Sequence, residues 1–256
     1  KVLAETARLM PQSHFASLLD LGAGPGTVSW AAVDVFESLD TVILGERDPE
    51  WLTLGQKLAH SSPSPALAQA HWQRVDLRDP APLPTSDLVV AGYSLGELTD
   101  NDAAAVLDRA WQAAVTALVV IEPGTPAGWS RIRALRQQLI DGGAHVVAPC
   151  PHGDTCPLAA DDWCHFSARV ERTALHRRLK AASLGHEDEK FSYIVAAKEP
   201  VSPAGARVVR HPQKRSGHTN VSLCTKEGLE TRTLSRRDKP RWKRAAKLSW
   251  GDAWDE

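Results

Sequence analysis

Residues 1–200 predict an α/β fold built on a parallel sheet with helices on both faces. Three observations predict it. Short β-branched runs alternate with helical stretches through this region. A glycine-rich turn joins the first of these runs to a helix, and the texture changes only after Pro200, where Gly and Pro punctuate shorter strand patterns. A chain of 256 residues has room for one large α/β domain and a small appendage. No run of eighteen apolar residues occurs, so no membrane span and no membrane partner are expected. No signal peptide is visible, and the chain opens on Lys1 rather than Met, so compartment is weakly marked.

The strand patterns, in order, fall at 17–21, 41–45, 72–76, 87–91, 117–121, 145–148 and 191–197. Helical patterns lie between them at about 27–38, 49–60, 101–115 and 127–141, with another at about 169–183 before the last strand. Beyond Pro200, residues 207–210, 220–224 and 230–234 read as short strands, followed by a basic stretch at 239–247. Three short strands bury little alone, so this part is expected to pack on the main domain. The organisation predicted is a main domain over 1–200, with a Cys-rich insertion at 149–166, and an appendage over 201–256.

The most informative segment is Leu18-Leu-Asp-Leu-Gly-Ala-Gly-Pro-Gly-Thr27. Glycines permit positive φ in a tight turn and let a ligand approach the backbone, while the helix that follows presents unpaired N–H groups. The spacing of Gly22, Gly24 and Gly26 is G-x-G-x-G, not the G-x-G-x-x-G of dinucleotide sites. Asp20 adds a carboxylate that repels a pyrophosphate and attracts an ammonium. S-adenosylmethionine carries an ammonium and no phosphate, so charge favours it over NAD. Glu46, at the end of the second strand, is placed to accept from ribose hydroxyls, and Asp76, at the end of the third, to hold an adenine amino group. Tyr93, in Gly92-Tyr-Ser-Leu-Gly-Glu-Leu98 after the fourth strand, completes the candidate cofactor set. Alone, Glu46 and Asp76 could equally be solvated loop acids. By analogy of strand number, the fold expected is the seven-stranded Rossmann-like variant of S-adenosylmethionine-dependent methyltransferases.

The cysteines are Cys150, Cys156, Cys164 and Cys224. Three thiols within fifteen Pro- and Gly-rich residues make a loop able to wrap one ion or cluster, with Cys224 arriving from the appendage. Zinc stays open beside iron, because His152 and His165 stand close by and neither pair has the short C-x2-4-C spacing. Four unconnected thiols are the plainer alternative.

Charge is segregated. Residues 1–200 hold 17 Lys+Arg against 25 Asp+Glu, whereas residues 201–256 hold 13 against 6. A tail of net +7 suits a polyanion, RNA first, although a solvated tail has the same composition. The contact set this suggests is Arg207, Arg210, Lys214, Arg215, Arg236, Arg237, Arg241, Lys243 and Arg244, with Trp242 either stacking on a base or docking on the domain.

Taken together, Leu19-Asp-Leu-Gly-Ala-Gly-Pro-Gly26, Gly92-Tyr-Ser-Leu-Gly-Glu-Leu98, Val120-Ile-Glu-Pro-Gly-Thr125 and the block from Cys150 to Phe166 resemble one family. It is the methyltransferase-like assembly proteins of the mitochondrial small ribosomal subunit, in a bacterial-type member. The resemblance implies a [4Fe–4S] cluster on Cys150, Cys156, Cys164 and Cys224, binding to small-subunit rRNA, and a role in ribosome assembly or translation. It also implies a ribosome-associated protein, in bacterial cytoplasm or, alternatively, the mitochondrial matrix, and monomeric off the ribosome. Family members usually carry a helical segment before the glycine loop, where this chain has only about eighteen residues.

Two functions of different class follow: an rRNA methyltransferase, and an RNA-binding assembly factor that keeps the cofactor site without turnover. A small-molecule methyltransferase with structural zinc is a third. No Asn-Pro-Pro-Tyr/Phe clamp and no cysteine follow the fourth strand, so no catalytic residue is assigned.

Overall fold

The computed structural model describes residues 1–255. Its core is a mixed sheet of strands β1 (Ser17–Leu21), β2 (Thr41–Glu46), β3 (His71–Arg74), β4 (Ser86–Gly92), β5 (Ala114–Pro123), β6 (His145–Ala148), β7 (Phe166–Glu171) and β8 (His186–Ala197). The order is β3-β2-β1-β4-β5-β8-β6, with β7 paired to β8 alone. Strands β1 to β5 run parallel, and β8 enters antiparallel between β5 and β6. Central strands are buried on both faces and so read as continuous apolar runs, Leu88 to Ala91 and Ala117 to Val120 being almost fully enclosed. The edge strand β3 is mostly exposed and polar.

Helices α1 (Val2–Leu9), α2 (Thr27–Val35), α3 (Pro49–Ala59), α4 (Pro65–Ala68), α5 (Asp100–Ala113) and α6 (Pro126–Asp141) flank this sheet. Their starts follow local chemistry. Asp48, Thr99 and Thr125 accept from the backbone N–H groups of the first turns of α3, α5 and α6, and Pro49 and Pro126 open two of these helices.

The seven expected strands are present, with two corrections. The third stops at Arg74, so Asp76 lies just past it, although Val75 N–H still reaches the Glu46 carbonyl at 3.0 Å. The helix expected over 169–183 is mostly absent: β7 occupies its start, and only α7 (Ala174–Leu179) is helical before β8 begins at His186. The cross-strand pair Arg169–Asp188, and Arg172–Glu187 just past the strand end, tie β7 to β8, a long-range choice that helix-compatible local composition does not reveal. Helix α1, packed on α2 and β6, was not legible from the sequence pattern.

A second sheet holds β9 (Ala206–Val208), β10 (Gln213–Lys214), β11 (His218–Thr225), β12 (Gly228–Ser235) and β13 (Ala253–Trp254), five strands where three were expected. Helix α8 (Lys239–Ala245) packs on β11 and β12 over a small core of Val208, Val221, Leu223, Ala245 and Trp254. The two sheets meet through Arg207, whose Nη1 donates to Glu5 of α1 at 2.6 Å and whose Nε donates to the Pro149 carbonyl at 2.9 Å. Trp250 completes the junction edge-on to His165 at 4.5 Å.

Candidate cofactor cleft and thiol pocket

Parallel strands deliver their carboxyl ends to one edge of the sheet, the place where α/β folds build ligand sites. A cleft of about 620 Å³ opens there, lined by the turn after β1, the end of β2, residues 75–78, and the loop after β4. All three predicted glycines have left-handed φ, at +68° for Gly22, +54° for Gly24 and +89° for Gly26. Gly22 is also a close approach: a Cβ there would lie 2.4 Å from Ser94 Cβ. Gly24, by contrast, has open space before it.

Glu46 braces this turn. Its Oε2 accepts from Gly24 N–H and its Oε1 from Asp48 N–H, both at 2.8 Å, while the carboxylate still borders the cleft. Asp76 borders the cleft too, held by a two-pronged contact from Arg78 that keeps its carboxyl well below the usual carboxylate range. Tyr93 projects its half-exposed ring at the mouth, on a backbone with φ +59° that few non-glycine residues adopt. Burial, then nearby Glu189 and Glu122, raises its hydroxyl pKa.

Asp20 departs from expectation. It does not line the cleft; it is buried behind the turn, with Oδ2 accepting from Ser29 Oγ at 2.7 Å and from Ser29 N–H at 3.2 Å. Its Oδ1 has no hydrogen-bond partner among the described residues. The carboxylate therefore acts on the glycine turn and α2 rather than facing an ammonium directly. Burial lifts its pKa to about 6, from 3.8. A folded value above the unfolded one penalises the ionised form, so stability falls as pH rises from about 4 through 6 and stays reduced above. The penalty is about 3 kcal/mol at full size. Asp20→Asn is expected to raise stability at pH 7.5 by up to about 3 kcal/mol, a gain shrinking toward pH 4. Urea melts across that range test it; a gain independent of pH contradicts it.

One residue beside the cleft went unassigned in the sequence. Glu122, fully enclosed at the end of β5, accepts from Arg131 Nη1 at 3.0 Å and from Gly96 N–H at 3.2 Å, fastening the loop that carries Tyr93 and Ser94. A carboxylate ending a continuous apolar strand was the available signal.

The four cysteines come together. Cys150, Cys156, Cys164 and Cys224 line one narrow pocket with His152, Arg207 and Phe166. Three thiols come from the loop between β6 and β7, and the fourth from β11. His152 Nε2 stands 3.8 Å from Cys224 Sγ. Burial first, with neighbouring thiols adding, pushes the Cys164 and Cys224 thiols up, Cys224 to about 12. Cys150 is raised by burial against the opposing pull of Arg136. Among the described residues, no three His, Cys, Asp or Glu side chains converge as ligands of a single metal ion.

Of the predicted RNA contacts, Arg207 is corrected, and three others have neighbours within the chain. Arg207 is 2% exposed and committed to the junction between the sheets. Arg210 pairs with Asp162, and Arg244 lies over the Trp254 ring at 4.9 Å. Trp242 is docked beneath Arg236, whose guanidinium stands 5.0 Å from the ring. Lys214, Arg215, Arg236 and Arg237 remain exposed at one end of the second sheet, where Arg236 N–H meets the Gly217 carbonyl at 3.1 Å.

Comparisons place this architecture. A protein of Pyrococcus horikoshii assigned as an RNA methyltransferase superposes with a TM-score of 0.51 at 15% identity, over 77% of this chain and 80% of that one. The magnesium protoporphyrin IX methyltransferase of Synechocystis PCC 6803, solved with bound SAH, gives 0.50 at 13% identity over the same shares. At such identities the likeness is one of fold: a Rossmann-like methyltransferase fold with a mixed central sheet. The human mitochondrial ribosome assembly protein METTL17 is 28% identical over 271 residues, 98% of this chain and 57% of that protein. The mitochondrial Rsm22-cox11 tandem protein 2 of Schizosaccharomyces pombe is 25% identical over 286 residues, 92% of this chain and 38% of that protein. This chain thus spans about half the length of these relatives, or less. With residues 1–255 matching the model of the mitochondrial small ribosomal subunit protein Rsm22, the chain belongs to the Rsm22 family.

Proposed function

We propose that this chain is an assembly factor of the small ribosomal subunit that binds rRNA through its C-terminal sheet and keeps an S-adenosylmethionine site in its cleft. The observation that carries the reading is charge placement. Exposed cations gather at one end of the second sheet, whereas the cleft is lined by Glu46, Asp48, Asp76, Glu97 and Asp102 against Arg47 and Arg78. An acidic mouth repels a polyanion and a basic sheet end attracts one. The relatives' printed roles point to the same machine, in mitochondria; a bacterial chain would meet it in the cytoplasm. On this reading residues 1–200 and 201–256 act as two units joined at the thiol pocket.

In the cleft, Gly22, Gly24 and Gly26 leave backbone room for the methionine part. Glu46 faces the ribose, Asp76 takes the adenine amino group on release from Arg78, Tyr93 flanks the mouth, and Asp20 acts through the turn. The thiol pocket fits an iron–sulfur cluster by its donor chemistry: four unoxidised cysteines and a junction that a four-thiolate group would pin. Zinc on the same thiolates is the alternative, and the iron, sulfide and zinc content of the purified protein decides between them.

The strained backbone at Tyr93 favours a second reading, turnover on rRNA, since such strain collects at working sites. Mass spectrometry of rRNA from cells lacking the protein separates the two. A methyl mark that returns with wild type and not with Gly24→Arg establishes the enzyme. Unchanged marks with defective small subunits establish the assembly factor. For the RNA surface, Arg215→Gln combined with Arg237→Gln is expected to reduce the slope of log affinity against log salt by about 2. An unchanged slope excludes the sheet end as the contact.

A further inference from the structure

Two arginines are enclosed beside the thiols, and the functional reading above leaves them unused. Arg136 and Arg207 are each 2% exposed. A buried guanidinium is costly unless its N–H groups and its charge are met. Arg136 lies on α6 among Ile132, Leu135 and Leu139, on the face that packs inward. One of its terminal nitrogens donates to the carbonyls of His152 and Asp154, both at 2.8 Å, which holds the first part of the cysteine loop. Those two carbonyls belong to the stretch between Cys150 and Cys156, so the guanidinium sits against the thiol loop. Its Nε has no further partner among the described residues. Arg207 reaches the pocket from β9, and Glu5 meets part of its charge at 2.6 Å. Its Nη2 is likewise buried with no partner among the described residues.

We infer that Arg136 and Arg207 are the charge-compensating residues of this pocket, built to face a dianionic four-thiolate group. Resting on the iron–sulfur reading, this adds a specific role for two residues outside the cysteine set. A cluster held by four thiolates supplies a net negative charge and a one-electron couple. Net charge and hydrogen bonds at the sulfurs tune such a couple. Cationic neighbours stabilise the more negative, reduced state, so their removal makes reduction harder. Glu5 tempers Arg207, which leaves Arg136 the larger contributor.

The test is an anaerobic redox titration of the full chain, with iron and sulfide content and far-ultraviolet circular dichroism measured on every variant. Arg136→Gln is expected to lower the reduction equilibrium constant about tenfold, a shift of about 59 mV to more negative potential. Arg136→Lys, which keeps the charge, is expected to stay near wild type. If Arg136→Gln folds but loses iron while Arg136→Lys retains it, compensation is needed for retention and the inference stands. An iron-loaded Arg136→Gln with an unshifted potential overturns it, as does equal iron loss in both folded variants. Should both Arg136 variants misfold, Arg207→Lys and Arg207→Gln carry the same comparison, and an unshifted potential or equal iron loss there overturns the inference equally. A wild-type protein that binds zinc or no metal overturns the cluster reading and this inference together, while a wild-type cluster indifferent to both arginines overturns the inference alone.

Discussion

Replacing Cys224 by serine is expected to weaken binding to small-subunit rRNA about tenfold, or about 1.4 kcal/mol, while leaving affinity for S-adenosylmethionine nearly unchanged. Cys224 lies on β11, opposite Leu229 on one side and Arg207 on the other, and is the thiol that the C-terminal sheet contributes to the pocket. The basic end of that sheet is the proposed RNA surface, whereas the cleft is built from strands β1 to β4 and their loops. Losing one thiol of the pocket loosens the seat of the sheet without touching the glycine turn. Filter binding at fixed salt measures the first effect and calorimetry the second. A parallel fall in both affinities marks general unfolding and removes the pocket's proposed role as a clasp.

Gly22→Ala is expected to destabilise the fold by about 3 kcal/mol and to abolish cofactor binding. About 1–2 kcal/mol comes from forcing an L-residue to positive φ. The remainder comes from driving a methyl into Ser94 Cβ, at a separation of 2.4 Å, where overpacking costs about 1–3 kcal/mol. Gly24→Ala, with the same backbone sign and open space ahead, is expected to lose only the first part. Adding Ser94→Gly to Gly22→Ala recovers the second part, a coupling of about 1 kcal/mol or more in a double-mutant cycle. Urea denaturation of the four variants reads this directly, and equal costs at the two glycines exclude the steric account.

Much of this architecture is written locally. The central strands are long apolar runs because both faces are covered, so β1, β2, β4 and β5 stand out from the sequence. The glycine turn shows itself through residues that tolerate its φ values, and the clustering of three cysteines announces the loop that holds them. What escaped depends on distant partners. Residues 166–171 pair with a strand some twenty residues on, and the ion pairs of Arg169 with Asp188 and of Arg172, just past the strand, with Glu187 are invisible to a periodic count. Arg207 looked like one more cation in a basic tail, yet its partner Glu5 lies 202 positions away. Asp20 stands out in the glycine motif, but its side chain turns inward to Ser29, a rotamer choice that spacing does not encode. Arg136 could have been noticed as a cation on the apolar stripe of α6, where only an enclosed anion or carbonyl could justify it.

The division of the pocket between β11 and a loop far upstream sets an order of events during synthesis. Cys150, Cys156 and Cys164 leave the translating ribosome before Cys224 has been joined to the chain, and β13, which completes the second sheet beside β9, comes later still. For that interval the nascent protein carries three thiols without their lid. On the proposed cluster reading, loading from a donor has an open window early in biogenesis, and oxidation threatens at the same moment. Closure by β11 and the strands that follow it then ends both.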